Sequence, residues 1–136
     1  GKARGMNTSV TQKYLNATPD NTLNTAEILD RCVLLMVNEA TMILAEGVAE
    51  TPEDVDIGMV WGTGFAPFRG GLMQYADHRG AQQIVDTLSR LQDKTKDDRF
   101  APSEMLKTMA KEKKRFYPSR PFVPYVERTG FPVVAV

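Results

Sequence analysis

The residues with the most chemical promise lie in one stretch, Trp61-Gly62-Thr63-Gly64-Phe65-Ala66-Pro67-Phe68-Arg69-Gly70-Gly71. Glycine-rich turns can cradle phosphate, because backbone without a Cβ lets main-chain N–H groups close on an anion. The dinucleotide version requires G-x-G-x-x-G between a strand and a helix. Here Gly62 and Gly64 are followed by Pro67 where the third glycine belongs, and the sequence before them is helical in pattern. The P-loop version requires Gly-Lys-Ser/Thr, whereas this stretch ends Arg69-Gly70-Gly71. Phosphate cradling therefore fails on both letters and context. The stretch reads instead as a structural bend. Gly62, Gly64, Gly70 and Gly71 permit the turn, and Pro67 fixes its own φ and pushes Ala66 towards extended backbone. The large apolar rings of Trp61, Phe65 and Phe68 are expected to turn inward and pin it.

The remaining candidates are weaker. Asp77 and His78 invite an acid–base reading, but adjacent helical residues do not face one another and no nucleophile stands beside them. His78 reads as a helix-end residue whose cation suits the C-terminal dipole. Glu53, Asp54 and Asp56 could form a metal or acid–base cluster; they are better explained as answering a helix N-terminus on a wet face. Lys111, Lys113, Lys114 and Arg115, followed by Phe116 and Tyr117, could meet RNA or a CoA phosphate, although dipole and solubility account for them more simply. One His and one Cys, Cys32, leave no zinc site within the chain. No catalytic, cofactor-binding or metal-binding residue is assigned.

Composition narrows the class. The 136 residues make one domain with tails, and 42% hydrophobic residues suffice for a core. Lys+Arg and Asp+Glu are both 17, so no global field draws in nucleic acid or an anionic membrane. The lone cysteine excludes an internal disulfide framework and suits a reducing compartment rather than a secreted setting. No apolar run reaches transmembrane length. The opening Gly1-Lys2-Ala3-Arg4-Gly5 has no initiator methionine and is expected to be an excised or processed start.

The elements that would position the bend are helical. Residues 1–24 read as a polar linker or arm, anchored at most by Tyr14-Leu15. Residues 25–47 carry the strongest helix signal, capped by Asn24 or Thr25 and stopped by Gly47. Leu29, Val33, Met36, Ala40, Ile43 and Gly47 form the expected core stripe. Leu34, Asn38 and Met42 project from another side and are expected to form a domain-contact face. Glu39 flanks the first stripe; if buried, it must find a donor, such as a main-chain N–H of the 62–65 bend. Thr51-Pro52-Glu53-Asp54 starts a second helix that runs into the bend. A short helix follows from Leu72, and another spans 80–95 with Ala81, Ile84, Val85, Leu88 and Leu91 inward. A last helix opens at Pro102, with Met105, Leu106, Met109 and Ala110 inward. Prolines 118, 121, 124 and 132 make 119–136 an extended tail. The fold class is all-α, with the helical domain over 25–118.

Asn38-Glu39-Ala40, Ala45-Glu46-Gly47-Val48-Ala49, Thr51-Pro52-Glu53-Asp54-Val55-Asp56, the glycine stretch and Tyr75-Ala76-Asp77 together closely resemble the C-terminal domain of 3-hydroxyacyl-CoA dehydrogenases. They look most like the last copy of that domain in the α subunit of the fatty-acid oxidation complex. The resemblance covers roughly 25–118. It implies an all-α fold like the C-terminal domain of 6-phosphogluconate dehydrogenase and 3-hydroxyacyl-CoA dehydrogenase, following a Rossmann domain. It implies a parent enzyme that oxidises L-3-hydroxyacyl-CoA with NAD, possibly alongside an enoyl-CoA hydratase. The nucleotide loop and catalytic His–Glu pair of the family belong to the Rossmann portion, so none carries over to this chain. Partners implied are a preceding helical copy and the Rossmann domain, or a homodimer, with acyl-CoA met through the parent. An independent self-associating helical module is the alternative.

Overall fold

The computed structural model describes residues 24–118 and, apart from them, Ser9. The arm expected over 1–24 and the tail over 119–136 otherwise lie outside the described residues. Among the described residues are five α-helices and no strand: α1 (Thr25–Ala45), α2 (Pro52–Thr63), α3 (Leu72–Arg79), α4 (Ala81–Thr95) and α5 (Glu104–Glu112). Short 3₁₀ turns stand at Pro67–Arg69 and Asp98–Phe100. The expected all-α class is the observed one.

Each helix begins and ends where its local chemistry dictates. Asn24 caps α1 by accepting from the Glu27 N–H at 2.8 Å. The Glu27 carboxylate then pairs with Arg31 at 2.9 Å and with Lys94 at 2.7 Å, tying the start of α1 to the end of α4. At the other end Gly47 takes φ 73°, a conformation that a side chain would strain. Its N–H donates to the Leu44 carbonyl (3.2 Å) and that of Val48 to Ile43 (3.0 Å), closing the helix. Thr51 and Asp54 cap α2 reciprocally. The last helix starts two residues later than the expected opening at Pro102, because Ser103 is its cap, the hydroxyl accepting from the Leu106 N–H at 3.2 Å.

Helix α1 is central, packing against α3, α4 and α5, while α2 packs on α3 and α4 on α5. Leu34, Val37, Leu72, Met73, Ile84, Leu88, Leu91 and Leu106 are fully buried. Each such leucine gains about 1.5–3 kcal/mol by leaving water. The inward residues expected on α4 and α5 hold: Ile84, Leu88, Leu91, Leu106 and Met109 are buried.

The innermost face of α1 differs from the expected one. Leu34, Val37, Asn38 and Thr41 are buried together with Ala40, whereas Leu29 is exposed and Val33, Met36 and Ile43 are only partly covered. The polar pair Asn38 and Thr41 could go inside because the loop at 101–103 meets them with matching donors and acceptors, a pairing made across more than sixty residues of chain.

Candidate functional site

The bend is shorter than the glycine pattern implied. Gly62 falls in the last turn of α2, and the bend proper begins at Gly64, which takes φ 73°. Only one of its three aromatics pins it. Phe65 meets Tyr75 edge to face with ring centroids 6.4 Å apart, a favourable arrangement. Trp61 and Phe68 do not turn inward: they are 85% and 57% exposed. Trp61 is helical, and at about 100° per residue it lies opposite Val55, Asp56 and Met59, the side of α2 that packs. Arg69 covers one face of Phe68, its guanidinium carbon 5.9 Å from the ring centroid.

The bend is organised instead by a carboxylate. Helix α3 has Gly71 at its N-cap, which offers no capping side chain. Asp56 of α2 supplies the missing oxygens, accepting from the Met73 N–H at 2.5 Å and more weakly from Gln74 at 3.4 Å. The Tyr117 hydroxyl donates to the same carboxylate at 2.7 Å. Asp56 is thus buried, not on a wet face as the sequence suggested. Burial pushes its carboxyl above the usual range, against the pull of these three donors, and Glu53 adds to the rise.

This arrangement also bears on NAD. A pyrophosphate would seek the N–H groups of a helix start beside paired glycines. At α3 the Met73 N–H, and more weakly that of Gln74, already donate to Asp56. The stretch does not fit a nucleotide phosphate.

A second acid anchors the closing segment. The Asp77 carboxylate accepts from the N–H groups of Phe116 (2.8 Å) and Tyr117 (2.9 Å), and Arg115 stands 3.7 Å away. Its neighbour His78 is pushed below its ordinary value by desolvation and by Arg115 and Arg69, while Asp77 pulls the other way. The helix-end cation expected at His78 is therefore disfavoured. The basic cluster is not one surface either: Arg115 faces Asp77, Lys114 pairs with Glu112 at 2.6 Å, and Lys113 closes α5 with φ 54°.

The expected contact face divides. Leu34 is buried in this chain's own core, and Asn38 serves this chain's own backbone. Its Nδ2 donates to the Ala101 carbonyl and its Oδ1 accepts from the Ser103 N–H, both at 2.8 Å. The hydroxyls of Thr41 and Ser103 share a hydrogen bond at 2.6 Å. Glu39 is exposed, so it has no need of a donor from the bend. Met42 remains half-buried, beside an open groove of about 990 Å³ that runs along α1. Leu35, Met36, Ile43, Met59 and Met105 line it as well. A helix that fills its own core on one side and still shows this much apolar surface on the other can take a second helical layer.

Residues 28–119 match the family described as 3-hydroxyacyl-CoA dehydrogenase, C-terminal domain. The chain belongs to this family. Among its relatives is the fatty acid oxidation complex subunit alpha of Vibrio vulnificus (strain CMCP6), 42% identical over 117 residues, which are 86% of this chain and 16% of the relative. The protein of the same name from Shewanella amazonensis (strain ATCC BAA-1098 / SB2B) is 47% identical over 103 residues, 76% of this chain and 14% of the relative. This 3-hydroxyacyl-CoA dehydrogenase C-terminal domain thus spans about one sixth of the length of such relatives.

Among the described residues, no group of three or more His, Cys, Asp or Glu is placed to hold a metal ion, and no helix is long and apolar enough to cross a membrane. The residues that organise this domain, Asp56, Asp77 and Tyr117, were missed as such in the sequence. One signal was legible: Gly70-Gly71 opens α3 without a capping side chain, so a cap from elsewhere was required.

Proposed function

We propose that this domain is a non-catalytic helical part of an NAD-dependent L-3-hydroxyacyl-CoA dehydrogenase of fatty-acid β-oxidation. Its role is to buttress a preceding helical copy, which seats on the outer side of α1. The observation that carries this reading is the groove beside Met42, lined by Leu35, Met36, Ile43, Met59 and Met105. Close packing there would hold the neighbouring copy, and through it the acyl thioester, in fixed geometry. NAD and the catalytic pair belong to the Rossmann portion of the parent, and acyl-CoA is met there. The bacterial fatty acid oxidation relatives support that setting, in the cytoplasm or its mitochondrial counterpart. No nucleic acid is a partner.

Two measurements test the reading. The chain alone is expected not to reduce acetoacetyl-CoA with NADH; turnover by it would overturn the non-catalytic role. In the full parent, Met42→Lys with Ile43→Lys is expected to lower the melting temperature and the dehydrogenase activity. Unchanged values for both would remove the groove from the interface.

A second occupant of the same groove is another copy of this chain, giving a self-associating module. Sedimentation of the chain across concentrations separates the two: a dimer abolished by Met42→Lys favours the second reading.

A further inference from the structure

We infer that the partner filling the groove on α1 is an apolar helix carrying Lys or Arg at two positions about 10 Å apart, and that acids in the groove turn away a second copy of this domain. The inference rests on the buttressing role proposed above and adds the charge of the partner surface.

Glu39 and Glu46 both line the groove. They stand seven positions apart on α1, two turns or about 10.5 Å, and so fall on one line of the helix. At about 100° per residue, Leu35 and Met42 flank that line on one side and Met36 and Ile43 on the other. Burial agrees: both glutamates are exposed, and the four apolar neighbours are partly covered. Two carboxylates therefore run down the middle of the apolar surface that a second helical layer would cover.

The cations in the groove are already used within this chain. Lys107 pairs with Glu104 at 2.7 Å, and Arg99 with Asp97 at 2.6 Å. Asp98 adds a third acid, which accepts from the neutral Gln92 side chain at 3.3 Å. Among the described residues, no cation pairs with Glu39, Glu46 or Asp98.

Water satisfies these carboxylates while the face is open. A cover removes that water, and a desolvated carboxylate without a counter-charge is strongly unfavourable. Whatever packs on α1 must therefore bring cations to Glu39 and Glu46, and a facing helix with basic residues seven positions apart meets both. Symmetric pairing of two copies does the opposite. A two-fold axis across α1, midway between the two acids, sets Glu39 against Glu46 of the other copy, and an axis along α1 sets each against itself. Like charges facing one another suppress the wrong partner. The acids thus select a surface of different sequence over a second copy.

Met36 and Met42 lie on opposite sides of the acidic line, so their oxidation by peroxide reads its cover. In the full parent both are expected to oxidise several-fold more slowly than in this chain alone. Glu39→Lys with Glu46→Lys in the parent should return both rates to those of the chain alone, and Glu39→Gln with Glu46→Gln should give intermediate rates. Neither pair of substitutions should change the far-UV circular dichroism of the chain alone. Oxidation as slow in the Lys variant as in the native parent would overturn the inference while leaving the groove covered. Equal rates in the native parent and the chain alone would overturn the buttressing role, and the inference with it. A native chain that dimerises at low salt, where repulsion is least screened, with both methionines protected, would overturn the selection against a second copy.

Discussion

The Asp56 carboxylate occupies the space that a side chain at Gly71 would need. A Cβ built at position 71 would overlap the carboxyl group, and the backbone there holds φ 122°. The two residues make one device. Gly71 leaves α3 without a local cap and leaves room for a remote one, and Asp56 fills both needs.

Gly71→Ala should therefore cost more than a positive φ alone. At Gly64, φ is 73° with open space around a built Cβ, so Gly64→Ala is expected to cost about 1–2 kcal/mol. Gly71→Ala combines backbone strain with displacement of the Asp56 cap, and about 3 kcal/mol or more is expected. Urea unfolding of both variants measures the difference, and equal losses would contradict the steric account.

The raised carboxyl of Asp56 sets a pH dependence. The native state keeps this proton at pH values where the unfolded chain has lost it. Unfolding then releases a proton, so this group's contribution to stability falls as pH rises from the ordinary carboxyl value through the raised one. Its slope cannot exceed about 1.4 kcal/mol per pH unit. Stability profiles of the native chain and Asp56→Asn, subtracted, should show this fall; a flat difference would count against it.

Tyr117→Phe removes one donor from Asp56 without opening a cavity. A loss of roughly 1.5–3 kcal/mol is expected for a hydrogen bond to a charged group. In a double-mutant cycle with Asp56→Ala, the two losses should fall short of additive, because each removes the same bond. Strict additivity would mean that the hydroxyl does not depend on Asp56.

Asn38 must both donate and accept to hold the loop at 101–103. Asn38→Asp keeps the acceptor for Ser103 but turns a carboxylate oxygen towards the Ala101 carbonyl. A loss of about 2–3 kcal/mol at neutral pH is expected, with part regained in acid, where a protonated carboxyl can donate again. Denaturant midpoints at two pH values check this. The reverse trend would show that the donor is unimportant.

Periodicity and capping residues were enough to place the helices, because both act over three or four neighbouring positions. Asn24, Thr51 and Gly47 do what their types imply, and Ile84, Leu88 and Leu91 repeat at helical spacing and are buried as expected. The glycine stretch was legible as a bend and as a family marker. The amino-acid sequence could not rank the two sides of α1 or send Trp61 outward. Which apolar stripe faces the core depends on what the rest of the chain brings to it. Leu34 and Asn38 went inside because a distant loop offered Asn38 a carbonyl and an N–H. Asp56 looked like a wet-face acid and Asp77 was given no role for the same reason: their partners lie seventeen to sixty-one residues away, and only folding sets the N–H and hydroxyl donors against them. Local chemistry determined the elements; long-range hydrogen bonding, visible only in three dimensions, decided how they lock.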